Sequence, residues 1–550
     1  MNAPIPPIWT TGSTEVFKTG TWRAALPQHI RAPSPCHAAC PVNGDIADWI
    51  GRAREKDYRG AWEVLTRNNP FPAIAGRICH HPCEAACNRV SFDEPLAICK
   101  LERFICDLAL AEGWTFESPT EQRGERIAVV GAGPSGLSAA FQLARRGYRV
   151  TLFESQPKLG GLMRYGIPSY RLARSVLDGE IARIVALGVD VRCGESLASP
   201  VDFDKLRKDF DAVYVAVGAH KQKRLKQLDY GEPWVMDGAE YLARSSRGAN
   251  PVLGKRLVVI GGGSAALDAA RSARRAGHEV TILALEKAAQ MPGQREEINE
   301  ALEEGIVLVS GAMLTQATSL DGRGLRLDCV RVSFEPGAQR GQFTVTPIAE
   351  SEFALEADAI LPSIGQDPDL AAWQGLGSAG TLLKVDTRQA TSVERVYAGG
   401  DVSSMARFVT EAIGMGKRAA LEIDRVLRSR NADAPVEAEP VVKLDNIATA
   451  YYPKQSRPAE HHLDPVQRLK SELEVQLGFD LDVALAETER CFSCGTCIFC
   501  DNCVNYCPDL AVKRREDGPG YLVLADYCKG CGLCVKECPT GSMKMVEEAR

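Results

Sequence analysis

Long hydrophobic runs are missing from this chain. None of its 550 residues lies in an apolar stretch approaching the roughly eighteen that a bilayer-crossing helix needs, so no membrane span is expected. The N-terminal MNAPIPPIWTTGSTEVF has no basic segment followed by an apolar core. It does not read as a signal peptide, and a cytoplasmic location is expected. Surplus positive charge is also lacking: 65 Lys and Arg against 71 Asp and Glu leave a net charge of −6, which argues against a nucleic-acid partner. Histidine is scarce at eight residues, and His29, His37, His80 and His81 read as packing or loop residues. The long middle is nearly free of cysteine. Only Cys193 and Cys329 fall there, and isolated cysteines of this kind are usually inert core residues.

What is present is ordinary in bulk, with 45% hydrophobic and 25% charged residues, and unusual in its thiols. Nineteen cysteines in a reducing compartment point to metal ligands or catalytic groups rather than disulfides. Seven lie between Cys36 and Cys106 and ten between Cys491 and Cys538. The stretch 1–122 carries helical periodicity, as in DIADWIGRAREKDYRGAWEVL and LAICKLERFICDLAL. From residue 123 short β-branched runs alternate with helices, the mark of α/β architecture. The Pro-, Ala- and charge-rich 429–485 reads as a linker with some helix, and 486–550 as a short, loop-rich, cysteine-dense unit.

Two strands open into glycine turns. IAVVGAGPSGLSAAF places Gly131, Gly133 and Gly136, followed by Pro134 and Ser135 at the start of a helix, in the form G-x-G-x-x-G. The first glycine permits the tight turn, the second lets backbone approach a pyrophosphate, and the third allows close helix–strand packing. The helix N-terminus then offers N–H groups to phosphate. Glu154 follows at the end of the next strand, where a carboxylate holds ribose hydroxyls. The second turn, LVVIGGGSAALDAA, gives Gly261, Gly263, Ser264, Ala265 and Ala266 in the form G-x-G-x-x-A. Two such folds suggest two dinucleotides.

With DAILPSIGQDPD and RVYAGGDVSSMARFVTEAIGMGKRAA further on, the order resembles that of the two-dinucleotide flavoprotein reductases, in which an FAD fold carries an inserted NAD(P) fold. GGLMRYGIPSYRL sharpens the likeness to the glutamate synthase small-subunit family, which includes dihydropyrimidine dehydrogenase and the bifurcating ferredoxin:NADP oxidoreductase. The match covers roughly residues 35–425. The resemblance implies a FAD-binding domain in two parts, 123–247 and 388–428, around an NAD(P)-binding domain at 248–387. It places Gly161, Leu162, Arg171, Leu197, Gly365, Gly400, Asp401 and Thr410 along the flavin, with the helix near Thr410 aimed at the isoalloxazine. Like those flavoproteins, the chain has no C-x-x-C between residues 123 and 425. NADPH-using relatives carry Arg in the turn after the second nucleotide strand. ILALEKAAQMPG puts Glu286 there, and a carboxylate repels a 2′-phosphate while accepting from a free 2′-OH, so NADH is expected over NADPH.

PCHAACP and GRICHHPCEAAC place Cys36, Cys40, Cys79, Cys83 and Cys87, which suits a thiolate-bound cluster; zinc is the alternative. The pattern resembles the N-terminal cluster domain of the same family. There a further C-x2-C precedes the position of Cys36 and two clusters form; that pair is absent, so one cluster is expected. Its ligands are read as Cys40, Cys79, Cys83 and a fourth group from ICKLERFIC, where the family places a Gln or Glu near Glu102; Cys99 and Cys106 on that helix stay open. At the other end CIFCDNCVNYCP and DYCKGCGLCVKECP are two copies of C-x2-C-x2-C-x3-C-P, a two-cluster ferredoxin signature in which each fourth cysteine serves the other cluster. Cys497, Cys500, Cys503 and Cys538 are expected to hold one cluster, and Cys507, Cys528, Cys531 and Cys534 the other. Cys491 and Cys494 extend the first run and are left as spare thiols or alternative ligands.

The expected molecule is a FAD-dependent NAD(P)H oxidoreductase with about three [4Fe–4S] clusters. It would exchange electrons with ferredoxin or a redox enzyme in a larger complex. Similar fused flavoproteins accompany 2-oxoacid:ferredoxin oxidoreductases and dissimilatory sulfite reductase. Two alternatives are a glutamate synthase small subunit proper and an electron-relay adaptor that binds no nicotinamide. The intact second glycine turn argues against the adaptor.

Overall fold

A computed structural model describes residues 23–197, 199–320, 324–338, 341–429 and 440–548. The N-terminal segment read against a signal peptide lies outside the described residues. Among the described residues no helix is long and apolar enough to cross a membrane.

Five parallel strands form the first sheet, in the order Val396–Ala398, Ala212–Val215, Arg126–Val130, Arg149–Glu154, Asp190–Cys193. Both faces of the central strands are covered, which is why Ile127, Ala128, Val129 and Val130 are all buried although consecutive. Helices Pro134–Ala144 and Val409–Leu427 lie against each other beside this sheet. A Cβ on Gly416 would stand 2.2 Å from the Ser135 carbonyl oxygen, so only glycine lets the two approach. A second parallel sheet runs in the order Ala359–Pro362, Arg256–Ile260, Glu279–Ala284, Val307–Ser310. An antiparallel sheet of Ala312–Ser319, Leu325–Pro336 and Phe343–Ala357 is appended to it.

The N-terminal helices Ile46–Arg54, Tyr58–Asn68, Pro72–Ile78 and Ile98–Ala111 bury Trp49, Ile50, Trp62, Leu65 and Leu101 in a core of their own. The segment read as a linker is no free spacer. Glu474 accepts from Arg77 (2.7 Å) and Arg103 (2.8 Å), Glu460 pairs with Lys100 (3.1 Å), and Arg457 with Glu84 (2.7 Å). Arg468 pairs with Glu303 in the second nucleotide domain (2.7 Å). Residues 440–485 are thus a strap across two domains. Their Pro and charge content, which suggested a linker, supplies extended backbone and partners for buried cations. The C-terminal unit is likewise docked: Met543–Glu547 pairs antiparallel with Ala25–His29, and Ala32 N–H donates to the Gly495 carbonyl (3.2 Å).

Candidate functional site

A large cavity opens at the end of the first sheet, over the first glycine turn. Gly131 has φ +100°, and a Cβ there would meet the Ala216 carbonyl oxygen at 2.4 Å. A Cβ on Gly136 would come within 1.8 Å of the Gly131 oxygen, so the helix can pack on the turn only without a side chain. Nothing lies within 4 Å of a Cβ built on Gly133, whose backbone is left open to a ligand. Pro134 occupies the first helical turn, where its missing N–H costs nothing, and it lines the cavity with Ser135. Glu154 is buried at the end of its strand and accepts from Ala132 N–H (2.9 Å) and Gln156 N–H (2.8 Å), which fixes its carboxylate at the cavity wall.

Gly161 (φ +51°), Leu162, Leu197, Gly400 and Asp401 line the same cavity, and a Cβ on Gly161 would press the Gly133 Cα at 2.8 Å. Phe408, Val409 and Ala412 place the N-terminus of the nineteen-residue helix Val409–Leu427 at its edge, an arrangement of N–H groups suited to a developing negative charge. This glycine-floored cleft fits a flavin dinucleotide. Gly365 lies outside the wall, which its neighbour Gln366 joins, and takes a left-handed turn (φ +98°) with its carbonyl accepting from Lys223 N–H.

Arg171 is a correction. It does not line the cavity; its guanidinium is taken up by Asp268 (2.6 Å) and Glu297, both buried in the second nucleotide domain. Two buried carboxylates hold it there, with Arg271 close enough to act on Asp268 as well, and it bridges the nucleotide domains instead of lining the cleft. Thr410 is buried in the first turn of the helix, with its hydroxyl 3.6 Å from the Cys79 sulfur.

At the second turn Gly261 has φ +142°, and a Cβ would meet the Ser363 oxygen at 2.5 Å. Ala266 takes the place of a third glycine, and its methyl group lies 3.3 Å from where a Cβ on Gly261 would stand, a second reason for glycine at 261. Ser264 and Ala265 begin the helix Ser264–Arg275. The Glu286 carboxylate hangs over the turn, 2.6 Å from where a Gly262 Cβ would be, and burial raises its pKa.

Behind the flavin-type cavity the N-terminal thiols gather. Cys40, Cys79 and Cys83 face one another, joined by Cys99 and Glu102, which share one face of the 98–111 helix at i, i+3. The Cys99 thiol donates to Cys79 and holds it well below the ordinary thiol range. Glu102 is raised by burial beside the Cys79 sulfur and accepts from Asn69 (3.1 Å). Cys106 points elsewhere, among Glu180, Asp107 and Arg183. Cys36 and Cys87 do not join this group; they line a separate cavity with Cys491 and Cys494. In the C-terminal unit Cys538 lines one cavity with Cys497, Cys500 and Cys503, while Cys507 lies with Cys528, Cys531 and Cys534.

One connection was invisible in the sequence. His80, read as packing, stacks on Phe408 with ring centroids 3.8 Å apart, so the Cys79 loop touches the cavity wall. The partners are separated by more than three hundred residues, and no spacing rule links them.

Two dinucleotide turns, a flavin-type cleft and cysteine groups on either side define a flavoprotein reductase with iron–sulfur sites. The chain belongs to the pyridine nucleotide-disulphide oxidoreductase family, whose profile matches residues 125–416. Residues 31–114 match the dihydropyrimidine dehydrogenase domain II, 4Fe-4S cluster, and 496–542 the 4Fe-4S dicluster domain. The disulphide of the family name has no counterpart: the cysteines of the matched region are an exposed Cys193 and a buried Cys329 in different sheets. The NADP(+)-dependent formate dehydrogenase subunit beta of Moorella thermoacetica is 35% identical over 497 residues, 84% of this chain and 70% of that one. The NADPH-Fe(3+) oxidoreductase subunit beta of Geobacter sulfurreducens is 32% identical over 518 residues, 84% and 75%. The glutamate synthase [NADPH] small chain of Mycobacterium tuberculosis is 32% identical over 435 residues, 73% and 88%.

Proposed function

We propose that the chain is the electron-exchanging subunit of a larger redox complex, an NAD(P)H:acceptor oxidoreductase that prefers NADH and serves ferredoxin or a redox enzyme through its C-terminal unit. The residues around the first turn would hold FAD, those around the second NAD(H), and the cysteine groups [4Fe–4S] clusters. When bound, a flavin accepts electrons as a hydride pair and releases them singly, which is what joins a nicotinamide to iron–sulfur centres. The chain's own part is placement: the glycine turns seat phosphates, the 409–427 helix sets a positive dipole end at the cavity, and Glu286 accepts from a ribose hydroxyl.

The observation that carries the reading is the abutment of the Cys79 loop on the cavity wall, through Thr410 and the His80–Phe408 stack. A cleft for a two-electron carrier in contact with ligands for one-electron carriers is the layout such an exchange requires. The printed names of two relatives, beta subunits of a formate dehydrogenase and an iron reductase, support assignment to a complex. The double cysteine run at 497–538 favours this over a glutamate synthase subunit, which has no need of a ferredoxin-like exit.

Anaerobic assays of the full chain test it. NADH should reduce both an artificial dye and a ferredoxin, and the Cys503→Ser/Cys534→Ser variant should lose most ferredoxin reduction while retaining most dye reduction. Ferredoxin reduction at the wild-type rate in that variant would refute the exit, and failure of both NADH and NADPH to reduce the dye would refute the oxidoreductase reading.

A further inference from the structure

Two cysteine pairs remain outside the three groups assigned above. Cys36 begins the short helix Pro35–Ala39, and Cys87 follows the helix Pro82–Ala85. Cys491 and Cys494 precede the double ferredoxin run and fall outside the matched dicluster segment. The fold brings all four to one cavity, lined also by Ser34, Asn88 and Arg89 and by apolar side chains such as Ile50 and Phe492. They reach it from opposite ends of the sequence: Asn88 and Cys494, in direct contact, are 406 residues apart.

We propose that Cys36, Cys87, Cys491 and Cys494 bind an additional iron–sulfur cluster at the joint between the N-terminal helical domain and the C-terminal unit. Four sulfurs converging on one cavity are not what packing alone would select, because aliphatic side chains fill such space without a reactive group. Each sulfur also has a hydrogen-bonding neighbour. Ser34 Oγ lies 3.1 Å from Cys36, the Asn88 amide donates to Cys494 at 3.4 Å, and the Ser493 N–H donates to Cys491 at 3.4 Å. Backbone N–H groups of Leu96 and Arg89 face Cys87. N–H groups aimed at sulfur are the outer shell that thiolate-bound clusters use to set their charge and potential. No disulfide joins the four.

The position is as telling as the ligands. Cys87 neighbours Cys83 of the first N-terminal group. On the other side Tyr452 donates to both the Phe492 carbonyl (3.2 Å) and the Pro539 carbonyl (3.1 Å), tying the residue after Cys491 to the residue after Cys538. The set therefore occupies the interval between the N-terminal group and the ferredoxin-like unit. The far end of the sequence thus supplies a C-x2-C to the cavity of Cys36 and Cys87, and its register with the ferredoxin run is incidental.

The test is iron and acid-labile sulfide on the anaerobically purified full chain, with spin integration after reduction by dithionite. With three cubane sets the wild type would hold about twelve iron atoms, and with the fourth about sixteen. The Cys491→Ser/Cys494→Ser variant should lose about four of those irons and one paramagnetic centre while keeping its FAD; Cys193→Ser should lose none. Asn88→Leu, which removes a donor to Cys494 without touching a ligand, should make one cluster's potential more negative at full iron content, a readout independent of whether the cysteine variant folds. Wild-type iron near twelve, unchanged iron in the double variant, or about one zinc per chain lost with the pair would overturn the assignment.

Discussion

Replacing Arg171 with Met separates the family resemblance from the geometry of this chain. If the guanidinium lay along a flavin, the variant would lose FAD and keep its stability. The structure places it between Asp268 and Glu297, with side-chain exposures of 13%, 6% and 7%. Removing the cation leaves two buried carboxylates uncompensated, a loss of about 3–5 kcal/mol. For a domain of this size that lowers the unfolding midpoint by roughly 10–15 °C. Burial already raises Asp268 to about 6 in the intact protein. Arg171 holds that carboxyl down, so its loss raises it further; the deficit should be largest in alkaline buffer and should narrow as pH falls toward about 6. Thermal unfolding across that pH range, with flavin content measured in parallel, gives the answer. A midpoint within a degree or two of wild type together with lost FAD would refute the reasoning.

Glu286→Arg should narrow or reverse the NADH preference by about tenfold to a hundredfold in relative kcat/KM, the size of one charge-assisted contact with phosphate, and a wild-type preference for NADPH would show that the carboxylate does not govern the choice. Because burial raises Glu286, wild-type discrimination against NADPH should weaken as the buffer is acidified and this carboxyl takes up its proton. Gly136→Ala forces a methyl group to within 1.8 Å of the Gly131 oxygen, so FAD should be lost on gel filtration while iron is kept; full flavin occupancy would mean the turn can yield. Comparing Cys99→Ala with Glu102→Ala decides the fourth N-terminal ligand, since only loss of the true ligand should lower the iron content.

The local signatures were legible because their chemistry is local. A glycine turn needs its glycines within six residues, and the structure puts Gly131, Gly133, Glu154, Gly161 and Asp401 around one cleft. The same holds for Ala266, whose methyl group is compatible with its turn whereas one at residue 136 would not be. What could not be read arises where distant segments meet. Arg171 sits in a motif whose family role is flavin contact, but nothing in GGLMRYGIPSYRL reports that Asp268 and Glu297 wait across the domain boundary. The 440–485 strap reads as a linker because salt-bridge partners such as Glu474 and Arg77 carry no periodicity. Cys491 and Cys494 share the three-residue period of the ferredoxin run, and that local regularity masked their separate destination.

The pairing of Ala25–His29 with Met543–Glu547 bears on how the molecule is made. At roughly 5–20 residues per second a ribosome needs about half a minute to two minutes to deliver the second strand after the first has emerged. Through that interval the early strand presents an open edge, and Cys36 and Cys87 stand without Cys491 and Cys494 across their cavity. Closure must therefore be a late, long-range event, slow by the entropy of joining segments so far apart. The two redox halves of the molecule become one body only once residues 543–547 have been made.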